Sequence, residues 1–217
     1  VMRIFLGVSG ASGAIYAGHA LRSLTASGCD VGLCVSDAGA HVISHEILDQ
    51  GRRPPDDPAL AVTRFVERYA TGPGDVTLLG LNDLAAPFAS GSSGAAAALI
   101  APCSSATLAC IAHGTARNLI HRCADVMLKE RRRLVLLTRE APLSLVHIEN
   151  MAAATRAGAV VLPASPGFYG APHSIEDLVD HVVARALDLI NVPNDLSVRW
   201  GVDEVDDRAG SPKPDAR

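Results

Sequence analysis

Three groups of residues in this chain have the types and spacing to do chemistry. The first is Pro102-Cys103-Ser104-Ser105-Ala106-Thr107, which stops the apolar run Ala98-Leu99-Ile100-Ala101. A buried strand handing over to a helix in this way gathers hydroxyls and unpaired N–H groups at one spot, the donor set that suits a phosphate. The second is Ser9-Gly10-Ala11-Ser12-Gly13-Ala14, a small-residue turn opening into a helix, which brings backbone N–H groups against a phosphate or a flat ring system. Its spacing is not Gly-x-Gly-x-x-Gly, so a dinucleotide fingerprint is unsupported. The third is the pair Arg122 and Lys129, seven residues apart and therefore on one helical face. Lysine occurs only at positions 129 and 213, so Lys129 is either a placed cation or a residue on a wet face, and pattern alone leaves both open.

Weaker signals surround these. Asn82 to Gly94 is polar and small, with Ser90-Gly91-Ser92 offering hydroxyls and bare backbone; it reads as a flexible loop or as a place where a ligand lies close to the chain. His41 and His45 at i, i+4 lack a convincing third metal ligand, and a surface helix with two histidines is the better reading. Trp200, the only tryptophan, stands next to Arg199 beyond the last expected helix, where an isolated aromatic docks onto its own domain or a neighbouring subunit.

These residues need a scaffold, and the composition allows one. The 217 residues are 48% hydrophobic, enough for the core of one large domain, expected over residues 1–200 with a polar tail at 201–217. A net charge of -4 argues against nucleic acid, whose phosphates would be met by a basic surface, and Arg131-Arg132-Arg133 reads as a solvated helix end. Five cysteines form no Cys-x-x-Cys pair and no metal spacing with the eight histidines, the pattern of reduced, buried thiols. The first apolar run is too short for a signal peptide, and nowhere do about 18 apolar residues run together. The expectation is a soluble cytoplasmic protein with no membrane contact.

Apolar runs at Ile4–Val8, Asp30–Val35, Val76–Leu79, Ala98–Ala101, Arg133–Thr138 and Ala159–Leu162 read as strands. Helical patterns alternate with them, among them Val62–Tyr69 and Leu143–Arg156, while Gly51 to Pro58 reads as a surface loop. The last helix opens at Ser174, with Asp177 three residues on in near capping-box form, and runs to about Ile190. Such alternation means right-handed βαβ units, hence an α/β three-layer sandwich with a parallel sheet and helices on both faces. Ligands in such folds sit at the carboxyl ends of the strands, where Gly10-Ala11-Ser12, Ser36, Ser104 to Thr107 and Arg139-Glu140 all fall.

Taken together, several of these segments resemble the UbiX-type flavin prenyltransferases. They are Gly10-Ala11-Ser12-Gly13-Ala14, Ala89-Ser90-Gly91-Ser92, Pro102-Cys103-Ser104-x-x-Thr107-Leu108, Asn118-Leu119-Ile120, Arg122-x-Ala124-Asp125-Val126-x-Leu128-Lys129-Glu130-Arg131-Arg132, Arg139-Glu140-Ala141-Pro142 and Pro166-Gly167-Phe168-Tyr169. The resemblance implies a metal-independent transferase with a flavodoxin-like Rossmann fold, assembled as trimers packed into dodecamers with sites between subunits. That enzyme joins a dimethylallyl group from dimethylallyl monophosphate to N5 and C6 of reduced FMN, and a partner decarboxylase uses the prenylated FMN. Carried over by position, Gly10, Ala11, Ser12, Ser36, Ser104, Ser105, Ala106, Thr107 and Arg139 would hold FMN. Ser90, Gly91, Arg122, Lys129, Tyr169 and Arg185 would surround the prenyl phosphate, with Trp200 as a second aromatic neighbour. Glu140 would be the acid–base group, Glu46 a second carboxylate near the substrate, and Ser12 a hydrogen-bonding partner for the flavin N5 region. Ala106 stands where many relatives carry a basic residue, and Leu84 where some carry tryptophan. Two further readings share the fold. A flavin-dependent cysteine decarboxylase would carry Pro-x-Met-Asn-x-x-Met-Trp, where this chain has Pro142-Leu143-Ser144-Leu145. A non-catalytic flavin carrier would have no need of the cations at 122, 129 and 185.

Overall fold

Strand β1 (Arg3–Val8), buried from Ile4 onward, lies at the centre of a parallel sheet. It is flanked by β2 (Asp30–Val35) and β4 (Ala97–Cys103), and the sheet extends to β3 (Val76–Leu79) on one side and to β5 (Arg133–Thr138) and β6 (Val160–Pro163) on the other. The computed structural model describes residues 1–48 and 57–197. The order β3-β2-β1-β4-β5-β6, with every pairing parallel, is the doubly wound arrangement whose direction reverses between β1 and β4. Both faces are covered, which is why these strands read as continuous apolar runs rather than as alternation.

Helices α1 (Ala14–Ala26), α2 (Asp37–Ile43), α3 (Pro58–Tyr69) and α7 (Ile175–Leu189) cover one face, packed around Ile4, Leu6 and Val8. Helices α4 (Ser105–Ala112), α5 (Leu119–Lys129) and α6 (Leu145–Ala157) cover the other, around Phe5, Cys34 and Ile100. Successive β1 residues thus serve opposite cores, as the two-residue strand period requires.

Capping chemistry sets the helix ends. Ser36, Ser104, Asn118, Ser144 and Ser174 each accept a backbone N–H of the helix they open, and Ser174 and Asp177 complete the expected capping box. Two expected starts move. Helix α3 begins at Pro58 rather than Val62, because Asp57 accepts from Ala59 N and proline is suited to the first helical position. Helix α6 begins at Leu145 rather than Leu143, because Ser144 is its N-cap. The last strand runs one residue later than expected, and of the loop expected over Gly51 to Pro58 only the final two residues are among those described. Among the described residues no helix is long and apolar enough to cross a membrane. The tail at 201–217 lies outside the described residues.

Candidate functional site

Every residue expected to hold FMN sits at the carboxyl edge of the sheet, in the loops and the helix start that follow β1, β2, β4 and β5. What binds two of these loops together is Ser9, a residue that the sequence reading did not single out. Ser9 is 2% exposed; its N–H and its hydroxyl both donate to the Pro102 carbonyl, at 3.1 and 2.9 Å, while Oγ accepts from Ser104 N at 2.8 Å. Ala11 N in turn donates to the Ser9 carbonyl. The glycine-rich turn after β1 and the serine turn after β4 are therefore one hydrogen-bonded unit at the switch point. A hydroxyl in the first position past a buried strand was the available signal.

The two helix N-termini that meet here differ. At α4, Ser104 Oγ accepts from Thr107 N and donates to Thr107 Oγ1 at 3.0 Å, while helix geometry leaves the N–H groups of Ser105 and Ala106 without an acceptor inside the helix. That donor set, with the positive end of the helix dipole behind it, fits a phosphate. At α1 the corresponding groups are engaged: Gly13 N and Ala14 N both donate to Glu46 Oε2 at 2.8 Å. Of the two helix starts, α4 is the one whose first N–H groups suit an anion. Ser36 Oγ accepts from Gly39 N, and Ser36 N donates to the Val8 carbonyl, which fixes the β2 loop beside the first turn.

From the end of β5, Arg139 Nε donates to the Ser12 carbonyl at 3.2 Å. The neighbouring Glu140 accepts from Ser105 Oγ at 2.8 Å and from Ala141 N at 3.2 Å, and these two donors, helped by Arg139 and His147, hold its carboxyl below the ordinary glutamate value. Glu140 is thus an ionised carboxylate anchored to the first residue of α4. A cavity of about 310 Å³, lined by Arg139, Glu140, Leu143, Met151 and Pro163 among others, opens beside it.

The residues expected around the prenyl phosphate are elsewhere. Ser90 and Gly91 precede β4, and Lys129 precedes β5, so both segments reach the amino edge of the sheet. There Lys129 pairs with Glu130, whose carboxyl is lowered by that ammonium, and Arg132 Nη2 donates to the Gly91 carbonyl at 2.6 Å. The Glu130 carboxylate also lies directly against Gly91, where a side chain would have to push it aside. Arg122 stands two turns before Lys129 on α5, with Nε on the Ala89 carbonyl and Nη1 on Asp125. Lys129 and Glu140 lie at opposite ends of the six-residue β5, about 20 Å apart at about 3.3 Å per residue, beyond a lysine's reach.

Tyr169 and Arg185 belong to a third place, on the face that α7 covers. The Tyr169 ring meets His181 edge-on with centroids 5.2 Å apart, and Arg185, one turn further along α7, is exposed and paired with Asp188. Trp200 lies outside the described residues. A single chain therefore assembles the carboxyl-edge set, Gly10 to Ser12, Ser36, Ser104 to Thr107, Arg139 and Glu140, with Glu46 attached to it through Gly13. It leaves the α5 set and the α7 pair on opposite faces of the sheet. Besides Ser9, Glu130 and His181 join these clusters without having been singled out from sequence, since their partners are set by tertiary contact; of the arginine run expected at a solvated helix end, Arg132 is half-buried on the Gly91 carbonyl and Arg133 opens β5.

Residues 1–187 match the model of the Flavoprotein family. The chain is 46% identical over 199 residues to the flavin prenyltransferase UbiX of Pseudomonas aeruginosa, covering 92% of this chain and 94% of that one. Among solved structures it is similar to AnUbiX (PadA1) in complex with FMN and dimethylallyl pyrophosphate, with a TM-score of 0.79, 39% identity, and 92% and 97% of the two chains covered. It is also similar to a dodecameric FMN-dependent UbiX-like decarboxylase from Escherichia coli O157:H7, with a TM-score of 0.78, 36% identity, and 92% and 99% covered.

Proposed function

The chain belongs to the Flavoprotein family and, within it, to the UbiX flavin prenyltransferases, and from that premise we propose that it transfers a dimethylallyl group from dimethylallyl monophosphate to reduced FMN. The observation that carries this reading is the pairing of two features at one edge of the sheet: a phosphate-suited helix start at α4 and an ionised Glu140 hydrogen-bonded to its first residue. The relative solved with FMN and dimethylallyl pyrophosphate supports FMN and a dimethylallyl donor that carries phosphate.

In this reading Gly10, Ala11, Ser12, Ser36, Ser104, Ser105, Ala106, Thr107 and Arg139 hold FMN, with the phosphate on the α4 first turn. Bound reduced FMN supplies N5 and C6, the two positions that receive the prenyl carbons. Arg122, Lys129 and Arg185, with Ser90, Gly91 and Tyr169, receive the departing phosphate, whose charge of nearly two needs several donors when no metal is used. Glu140 accepts the C6 proton, directly or by way of the released phosphate; its lowered pKa favours the ionised form that such a role needs.

Because Lys129 and Glu140 are held at opposite edges, the complete site takes them from different copies of the chain. The exposed apolar side of α6, where Leu145 and Val146 are 69% and 62% exposed, suits burial against another copy, and the dodecameric relative supports assembly of that kind. The product serves a decarboxylase that uses prenylated FMN. The proposed setting is the cytoplasm, which suits five cysteines that carry no disulfide.

Mass spectrometry of the flavin after anaerobic incubation with reduced FMN and dimethylallyl monophosphate tests the reading. A flavin heavier by one prenyl unit, absent with Lys129→Ala, is the expected result; the diphosphate donor is run alongside. Unmodified FMN with both donors, despite tight binding, would turn the assignment toward a cysteine decarboxylase or a flavin carrier.

A further inference from the structure

The peptide unit joining Ser12 to Gly13 is gripped at both ends. Its carbonyl, on Ser12, accepts from Arg139 Nε at 3.2 Å, and its N–H, on Gly13, donates to Glu46 Oε2 at 2.8 Å. In a trans peptide these two groups point in opposite directions, so a cation on one side and an anion on the other fix the rotation of the plane. Neither partner is local: Arg139 follows β5, and Glu46 lies in a π-helical turn, Ser44–Leu48, that extends α2. Helix α1 needs the outside help, because its N-cap is Gly13, with φ +112° and no side chain to offer. Glu46 Oε2 also takes Ala14 N at 2.8 Å, so it does for α1 what Ser104 does for α4.

We infer that Glu46 is a positioning residue which, opposite Arg139, sets the Ser12–Gly13 peptide plane and hence the aim of the Ser12 hydroxyl at the flavin, and that it acts as a hydrogen-bond acceptor and not as a proton carrier. The turnover part of this inference rests on the proposed transferase; the flavin-binding part does not. Three properties follow from the geometry. Only an acceptor oxygen is required, so an amide at the same reach serves. The reach is set by a side chain of glutamate length, so aspartate falls short of Gly13 N and Ala14 N. Among the described residues, the groups that Glu46 bonds are two backbone amides, and these, like the Arg139 guanidinium on the same peptide, do not exchange protons near neutral pH.

The test compares Glu46→Gln, Glu46→Asp and Glu46→Ala in the full chain. Dissociation constants for FMN come from fluorescence titration, and prenylation rates with dimethylallyl monophosphate are measured as a function of pH. Glu46→Gln keeps FMN affinity and rate within about threefold of wild type, with the same pH profile. Glu46→Asp and Glu46→Ala each lose about tenfold in FMN affinity, on the scale of one charge-assisted hydrogen bond, and lose rate with little change in KM for the prenyl donor. If Glu46→Gln is as impaired as Glu46→Ala, or its pH profile moves, the carboxylate itself does the work and the inference is overturned. It is equally overturned if all three variants bind and turn over as wild type does. A wild-type protein that prenylates FMN with neither the monophosphate nor the diphosphate donor would refute the proposed reaction alone, because the order of FMN affinities still reads the clamp.

Discussion

Replacing Ser9 by alanine removes one oxygen and, with it, the pin between the two loops of the phosphate cradle. The hydroxyl is 2% exposed and makes two hydrogen bonds, of which the one it accepts matters more. Pro102 keeps the Ser9 N–H on its carbonyl after the change, whereas Ser104 N, in a half-buried turn, loses its acceptor. A buried donor stranded in this way costs about 1–3 kcal/mol. For a domain of this size that corresponds to a melting temperature lower by about 2–12 °C, measurable by calorimetry or circular dichroism. The functional consequence is more specific. The Ser104 turn orients the first N–H groups of α4, so FMN affinity falls by about tenfold, the equivalent of about 1.4 kcal/mol. Riboflavin, which has no phosphate, binds the variant about as it binds wild type. Equal losses for FMN and riboflavin would mean general damage to the fold, and an unchanged melting temperature with unchanged FMN affinity would mean that Ser9 pins nothing; either result refutes the reasoning.

The Ser105 hydroxyl is the largest cause of the lowered Glu140 pKa, so Ser105→Ala moves that pKa up toward the ordinary 4.5. Since Glu140 works ionised, activity falls as pH drops through its pKa, and the pH–rate profile of the variant begins that fall at a higher pH than wild type; an unmoved acid limb would detach Glu140 from it. Glu140→Gln and Lys129→Ala are each inactive in transfer, but subunits of the two, unfolded and reassembled together, regain part of the activity, because some interfaces then pair an intact carboxyl edge with an intact amino edge. Mixtures as inactive as their parents would show that one chain supplies both groups. Burial pushes the thiols of Cys34 and Cys103 up to about 12, and that of Cys123 up as well, so in the native protein a thiol reagent at pH 8 modifies the partly exposed Cys110 first and reaches those three only on unfolding.

Much of this molecule was legible in its residues because the determining interactions are local. The central apolar runs became strands β1, β2, β4 and β5 where expected, since a strand buried on both faces needs little else. Ser36, Ser104, Asn118 and Ser174 cap helices three residues or fewer away, an interaction contained within one turn. The errors were local too: Asp57-Pro58 is a start signal that outranks the first periodic apolar residue, and Ser144 delays a helix that hydrophobic pattern alone would begin at Leu143. The convergence of Gly10, Ser36, Ser104 and Arg139 on one rim followed from reading each as a strand end, given that parallel strands all finish on the same edge.

By itself, then, the sequence determined an α/β fold, a phosphate-suited rim at its carboxyl edge, and the motifs that mark its family. Tertiary structure alone decided which groups meet across long separations. It set Ser9 on Pro102 and Ser104, more than ninety positions away, and Glu46 on a peptide thirty-three positions before it. It also put Lys129 and Glu140, only eleven residues apart in the chain, at opposite ends of a strand. The physical reason is that capping and burial are read within a turn or a strand, whereas strand order and sheet direction, which set every longer distance, emerge only when all six strands are packed together.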